Sequence, residues 1–210
     1  MNTWSALFDD TTTSIIDEIN EEGMCPRKCD IYKAFELTPL SNVKVVLIGQ
    51  DPYPTILKNG NPRAIGISFA VAKGDAIPGS LKNIYKVLSK TIPEFVVPQH
   101  GDLTPWCKQG VLMLNKTLTV RESKPNSHAK NWSGFCDKVI DLVLKSNPEC
   151  VFLLWGNNAQ LVKRPGMVTL ETTHPSPLSA SRGFLGCNHF NETNEYLIKQ
   201  GKEPIDWSLE

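Results

Sequence analysis

Four short runs of nearly unbroken apolar residues punctuate the 210-residue chain, at 43–48, 111–114, 151–155 and 167–172. Their β-branched content and nearly continuous hydrophobicity suit strands covered on both faces, the usual setting of a parallel sheet. Between them the apolar positions recur every three or four residues. Leu81, Ile84, Tyr85, Leu88 and Ile92 follow Ser80, and Phe135, Val139, Leu142 and Val143 follow Ser133. This spacing predicts two helices, each with a serine placed to cap it. A last helix is predicted over 191–200, ended by Gly201. Segments 17–22 and 30–36 read as N-terminal helical pieces outside the sheet. Strands alternating with helices give an α/β fold, a three-layer α/β/α arrangement around a central four-stranded, mainly parallel sheet. With no repeat, low-complexity tract or long linker, residues 1–210 read as a single domain.

Composition narrows the function classes. The chain is 40% hydrophobic and 21% charged, ordinary for a globular protein. Lys plus Arg and Asp plus Glu both total 22, so bulk charge does not suit a protein that coats a polyanion. The distribution is uneven: residues 1–36 hold eight acidic and three basic side chains, whereas residues 54–90 hold Lys58, Arg63, Lys73, Lys82, Lys86 and Lys90 against Asp75 alone. The six cysteines lack the density of a secreted disulfide scaffold and read as reduced thiols. Cys25 and Cys29 have no second Cys/His pair at zinc-like spacing, so no metal site is expected. The acidic N-terminus does not resemble a signal peptide, and no apolar run is long enough to span a bilayer. The expectation is an intracellular protein without membrane contact, cytoplasmic in a bacterium or nuclear in a eukaryote or virus.

The residues after each strand carry the chemistry. Gln50-Asp51-Pro52-Tyr53 follows the first strand, Asn115 the second, Gly156-Asn157 the third, and Thr173-His174-Pro175-Ser176-Pro177 the fourth. Ligands of open parallel sheets bind outside these carboxyl ends. Asp51 is either a turn residue or a carboxylate held by the flanking prolines. Asn115 either satisfies its loop or reads an amide-like edge with its paired donor and acceptor. His174 is either structural or an acid, base or hydrogen-bond donor. Phe69 is either core or a stacking platform for a planar ligand. Ser176, Leu178 and Ser179 form either a plain surface turn or a phosphate-gripping loop with an apolar wedge. No Gly-rich phosphate loop or nucleophilic Ser elbow is present, so no nucleotide cofactor is expected. These residues alone indicate an α/β enzyme acting on a planar, amide-bearing ring.

Gln50-Asp51-Pro52-Tyr53 and His174-Pro175-Ser176-Pro177-Leu178-Ser179-Ala180 resemble the two signature motifs of family 1 uracil-DNA glycosylases. Further segments are similar to that family in the same order: Leu37-Thr38-Pro39-Leu40, Pro78-Gly79-Ser80-Leu81-Lys82-Asn83, Gln109 to Asn115, Leu154-Trp155-Gly156 and Arg182-Gly183-Phe184. The resemblance implies flipping of uracil out of DNA and hydrolysis of its N-glycosidic bond, without metal or cofactor, to leave an abasic site. It implies that Asp51 faces the cationic sugar and orients water, and that His174 donates to uracil O2. Asn115 would read the O4 and N3–H edge, Tyr53 would exclude a thymine methyl, Phe69 would stack, and the Gln50 main-chain amide would contact the base. Ser80, Asn157 and Ser176 would grip phosphates while Leu178 fills the gap in the duplex. The implied partners are single- or double-stranded uracil-containing DNA and DNA-mimicking inhibitor proteins, with the chain acting as a monomer. The competing reading is a DNA-binding or replication-accessory protein that keeps the fold with reduced catalysis.

Three departures from the family pattern stand out. Pro54 replaces a histidine after Tyr53, which predicts retained but slower catalysis. The stretch from 55 to 65 is longer than usual and carries Lys58 and Arg63, so it is either a solvated loop or a DNA contact. Asn157 stands where the family has a phosphate-contacting serine.

Overall fold

The computed structural model describes residues 4–19 and 23–209, so the end of the expected 17–22 helix lies outside the described residues. Its elements in chain order are α1 (Asp10–Ile19), β1 (Met24–Cys25), α2 (Lys33–Leu37), β2 (Val45–Gly49), α3 (Gly79–Thr91), α4 (Thr104–Lys108), β3 (Val111–Asn115), β4 (Val120–Arg121), α5 (Phe135–Ser146), β5 (Val151–Trp155), α6 (Asn157–Gln160), β6 (Val168–Thr172) and α7 (His189–Lys199). No helix among the described residues is long and apolar enough to cross a membrane.

The four apolar runs form one sheet in the order β3-β2-β5-β6, parallel at every pairing. Successive side chains of a strand point to opposite faces, and β2, β3 and β5 use both. Val45, Leu47, Met113, Leu153 and Trp155 pack with Leu81, Ile84, Trp106 and Phe190 in one layer. Val46, Ile48, Leu112, Leu114, Phe152 and Leu154 pack with Phe35, Val139, Ile140 and Val143 in the other. That two-sided burial is why these strands read as continuous apolar runs, and it produces the expected three layers.

The boundaries differ from expectation in instructive places. β2 begins at Val45 because Val43 closes a 3-10 turn over Leu40–Asn42. β6 is one of the two sheet edges and is only half-buried, with Glu171 holding Lys163 at 2.5 Å, a charge placement that discourages further strand pairing. Neither serine caps its helix. α3 starts at Gly79 after Pro78, which puts Ser80 inside the first turn, and α5 starts at Phe135 after Gly134. The 30–36 segment divides into a 3-10 turn over Lys28–Asp30 and α2, with the Asp30 carboxylate taking Arg27 at 2.7 Å and Lys33 at 3.3 Å. A small antiparallel pairing of β1 with β4 was not expected from the pattern.

Candidate active site

Because all four strands of the main sheet run the same way, their carboxyl ends share one edge. The chain passes from β2 to β3 on one side, then returns across β2 to β5 and β6, so the strand order reverses beside β2. Crevices form at such reversals. Here one of about 160 Å³ is lined by Gln50, Asp51, Tyr53, Phe69, Ser80, Asn115 and His174, with Gly49, Pro52, Pro54, Ala64, Gly66, Ile67 and Pro125 completing its wall. Residues distant in sequence therefore meet because each lies at a strand end or in the loop that follows it.

Asp51 is held from a direction that its own motif does not reveal. The backbone N–H of Asn126 donates to Asp51 Oδ2 at 2.8 Å. Burial pushes the Asp51 carboxyl above the usual range, and the Asn126 hydrogen bond only partly opposes it. Asn126 sits at φ 61°, a left-handed conformation that Asn tolerates better than most residues. Its side-chain Oδ1 accepts from Gln50 Nε2 at 3.0 Å, and Asn158 Nδ2 donates to Gln50 Oε1 at 2.7 Å. The Ser123 N–H donates to the Pro54 carbonyl at 2.6 Å. Pro125, Asn126 and Asn158 are thus site residues that motif reading missed. The Pro125-Asn126 pair after β4 is the turn signal that could have exposed two of them.

Asn115 ends β3 with its side chain against Gly49. A Cβ on Gly49 would lie 2.3 Å from Asn115 Oδ1 and 3.0 Å from the Ser68 Cβ, so only glycine fits between them. His174 follows β6, and the Ser176 backbone N–H donates to its Nδ1 at 3.0 Å. With Nδ1 accepting, a neutral ring carries its proton on Nε2. Burial lowers the His174 pKa and favours that neutral form. Gly156, at φ +90°, passes so close that a Cβ there would meet the His174 Cβ at 2.8 Å.

Phe69 and Tyr53 build the aromatic side. Phe69 is buried at φ 63°, 5.7 Å from the His174 ring centroid and 5.9 Å from Trp155. The Tyr53 hydroxyl donates to the Phe69 carbonyl at 3.2 Å and so fixes this strained position. Phe69 therefore belongs to the core and to the pocket wall at once.

Other expected residues lie around the pocket. Ser80 reaches it from the first turn of α3. Asn157 lines a neighbouring groove of about 500 Å³ with Gln50, Asn158, His174, Ser179 and Arg182. Ser176 and Leu178 lie on the loop after His174, outside the pocket, and Leu178 is 88% exposed. Asn83 of α3 donates to the Pro175 carbonyl at 2.8 Å, which ties that loop to the Ser80 turn. Lys58 is exposed at the tip of the 55–65 stretch. Arg63 faces inward instead and pairs with Asp75 at 2.9 Å. Among the described residues no group of three or more His, Cys, Asp or Glu side chains could hold a metal.

The family model described as the uracil DNA glycosylase superfamily matches residues 35–198. The chain belongs to this superfamily. The uracil-DNA glycosylase of Francisella tularensis subsp. novicida is 48% identical over 198 residues, which cover 92% of this chain and 88% of that relative. The mimivirus uracil-DNA glycosylase crystal structure matches with a TM-score of 0.88 at 29% identity, covering 100% of this chain and 82% of the other. A mimivirus variant solved in complex with UGI matches with a TM-score of 0.85 at 27% identity, over 98% of this chain and 90% of that one. In this glycosylase the pocket is assembled from segments 49–54 and 64–69 with Ser80, Asn115, Pro125 and His174, and all of them fall inside the matched region.

Proposed function

We propose that this glycosylase flips one uracil nucleotide of DNA into the pocket beside β2, where Asp51 and His174 divide the charge that develops as the N-glycosidic bond breaks. The reaction is uracil excision in DNA repair, leaving an abasic site. Water adds to C1′ of the sugar while the bond to uracil N1 breaks, the bonding electron pair leaves with the base, and the proton the water gives up ends on the released uracil anion through solvent. The sugar gains positive charge and uracil gains negative charge, so a site that stabilises both lowers the barrier. Asp51 supplies the negative charge opposite the sugar and orients the water. His174 Nε2–H donates to the oxygen on which uracil's charge collects.

One observation carries this reading. A half-buried carboxylate shares its pocket with an imidazole whose Nδ1 already accepts a hydrogen bond, which leaves Nε2–H as the ring's donor. A neutral donor suits an oxyanion without stabilising the ground state as an imidazolium would. The remaining roles are those the family resemblance implies, and the chemistry of each side chain suits them. The Asn115 amide offers one donor and one acceptor, complementary to uracil O4 and N3–H and mismatched to cytosine. Mismatch leaves buried polar groups unpaired, which is strongly discriminating. Tyr53 fills the space of a 5-methyl group, Phe69 stacks on the ring, and the Gln50 main-chain amide contacts the base.

Outside the pocket, Ser80, Asn157 and Ser176 hold phosphates and Leu178 enters the stack. Flipping costs a few kcal/mol, and these contacts offset it. The bonds from Ser123 to Pro54 and from Asn126 to Asp51 support the Asp51 turn where the family's histidine is missing, in keeping with retained activity. The likeness to a mimivirus structure holding UGI supports susceptibility to that inhibitor. The bacterial origin of relatives such as the Francisella glycosylase supports an intracellular location.

The test is uracil release from single- and double-stranded oligonucleotides by the parent protein and by Asp51→Asn. Release by the parent and its loss in the variant are expected. A parent that binds DNA but releases no uracil would overturn the reading in favour of an accessory protein.

A further inference from the structure

The 55–65 stretch does not hang free over the site. Its backbone folds back on itself: Leu57 N–H donates to the Asn61 carbonyl at 2.8 Å and Arg63 N–H to the Thr55 carbonyl at 2.8 Å, with bridges joining Ile56 to Pro62 and Ala64 to Val71. The returning strand brings Ala64 into a small apolar cluster with Cys25 and Val120, against which Tyr53 and Ile56 pack. This cluster is separate from the two large layers on either side of the sheet.

An ion pair fastens the arrangement. Arg63 Nε donates to Asp75 Oδ2 at 2.9 Å and its terminal nitrogen to Oδ1 at 3.3 Å. The Asp75 side chain is only 9% exposed, and Oδ1 also accepts the Ala76 N–H at 2.7 Å. A bidentate Arg–carboxylate pair fixes orientation as well as distance. The Arg63 guanidinium is also close enough to Tyr53 to counter part of the rise that burial imposes on its phenol.

We propose that the Arg63–Asp75 pair is a specificity latch: it holds the 55–65 stretch as a backing wall for Tyr53 and thereby keeps the pocket too tight for a 5-substituted uracil. The inference rests on the reading of Tyr53 as the group that occupies the 5-methyl space. Tyr53 has one polar anchor on the pocket side, its hydroxyl on the Phe69 carbonyl. Elsewhere it is held by the apolar cluster that Ala64 and Ile56 complete. Releasing Arg63 frees the segment that carries Ala64 and lets the Tyr53 ring retreat. Arg63 and Asp75 are thus positioning residues that act through Tyr53. Their effect falls on the choice between bases, while uracil, which lacks a 5-substituent, remains well accommodated.

The test compares single-turnover release of thymine and of uracil from otherwise identical oligonucleotides. It uses Arg63→Ala, Asp75→Asn, the reversed pair Arg63→Asp/Asp75→Arg, and Tyr53→Ala. One methyl group in a fitted pocket is worth about 10–200-fold. The thymine-to-uracil ratio should therefore rise at least about tenfold in each single latch variant and fall back toward the parent ratio in the reversed pair. Loss of folded protein lowers both rates together and leaves the ratio unchanged, so stability alone does not mimic the effect. If Tyr53→Ala raises the ratio while Arg63→Ala and Asp75→Asn do not, the latch is wrong and the Tyr53 reading stands. If Tyr53→Ala also leaves the ratio at the parent value, the Tyr53 reading fails and the latch fails with it.

Discussion

The Asn126 backbone N–H, seventy-five residues away in sequence, donates to the Asp51 carboxylate at 2.8 Å. That contact orients Asp51 but only partly offsets its burial, so the carboxyl ionises at a higher pH than a free one. A carboxyl whose folded pKa lies above its unfolded value binds more protons when folded. Stability then declines as pH rises from the ordinary value of 3.8 through the raised one. Replacing Asp51 with Asn should therefore raise the melting temperature at pH 7, with the gain disappearing below pH 4. Uracil release should meanwhile fall by about 10²–10⁴-fold. Parallel thermal melts and single-turnover assays check both, and equal stability at pH 7 would contradict a folded Asp51 pKa raised by burial.

His174 titrates in the opposite sense. Its lowered pKa means that protonation is disfavoured in the fold, and the stability this neutral ring contributes is complete above the ordinary value of 6.5 and lost as pH falls toward the folded pKa. Protonating Nδ1 also removes the lone pair that accepts the Ser176 N–H. The ring should remain neutral with its proton on Nε2 at pH 6.5, as nitrogen chemical shifts can report. An imidazolium at that pH would be incompatible with the assigned tautomer. Removing the donor with His174→Ala should cost about 10²–10³ in kcat.

Gly49 offers a test of how tightly Asn115 must be held. Its added methyl in Gly49→Ala would fall 2.3 Å from Asn115 Oδ1, so the amide must shift or the strand end must open. A displacement of about 1 Å at a reacting group can cost about 10²-fold, and a loss of that order in kcat/KM on uracil is expected. Unchanged kcat/KM in a folded Gly49→Ala protein would mean that Asn115 does not read the base from this position.

The central strands were legible because burial on both faces leaves unbroken apolar runs, as in Val45 to Ile48 and Val151 to Trp155. Asp51, Asn115 and His174 were legible because chemistry in an open parallel sheet collects at strand ends. The rest was carried by contacts with no local pattern. Asn126 serves Asp51 through its backbone, which a side-chain motif cannot announce. Ser80 and Ser133 resembled caps because they precede apolar helices, yet α3 begins one residue earlier, at Gly79, and α5 two residues after Ser133, at Phe135. Arg63 counted as part of a basic stretch, and only its distance to Asp75 reveals that it faces inward. The uneven charge along the chain therefore overstates the basic surface available to phosphates.

Leu178 is the side chain whose role depends most on the form of the DNA. It is 88% exposed on a loop otherwise well tied, through Ser179 Oγ to the His174 carbonyl at 2.9 Å and Asn83 to the Pro175 carbonyl at 2.8 Å. An exposed leucine on a braced loop adds little to folding, so Leu178→Ala should alter stability by less than about 0.5 kcal/mol. Its work lies in filling the space that a flipped nucleotide leaves in a stacked duplex, where unstacking costs a few kcal/mol. A single strand has little stacking to replace. Leu178→Ala should consequently slow uracil release from duplex DNA by about tenfold or more and leave single-stranded substrate nearly unaffected. Single-turnover rates on matched single- and double-stranded oligonucleotides decide the point, and an equal loss on both would assign Leu178 to general DNA contact instead of wedging.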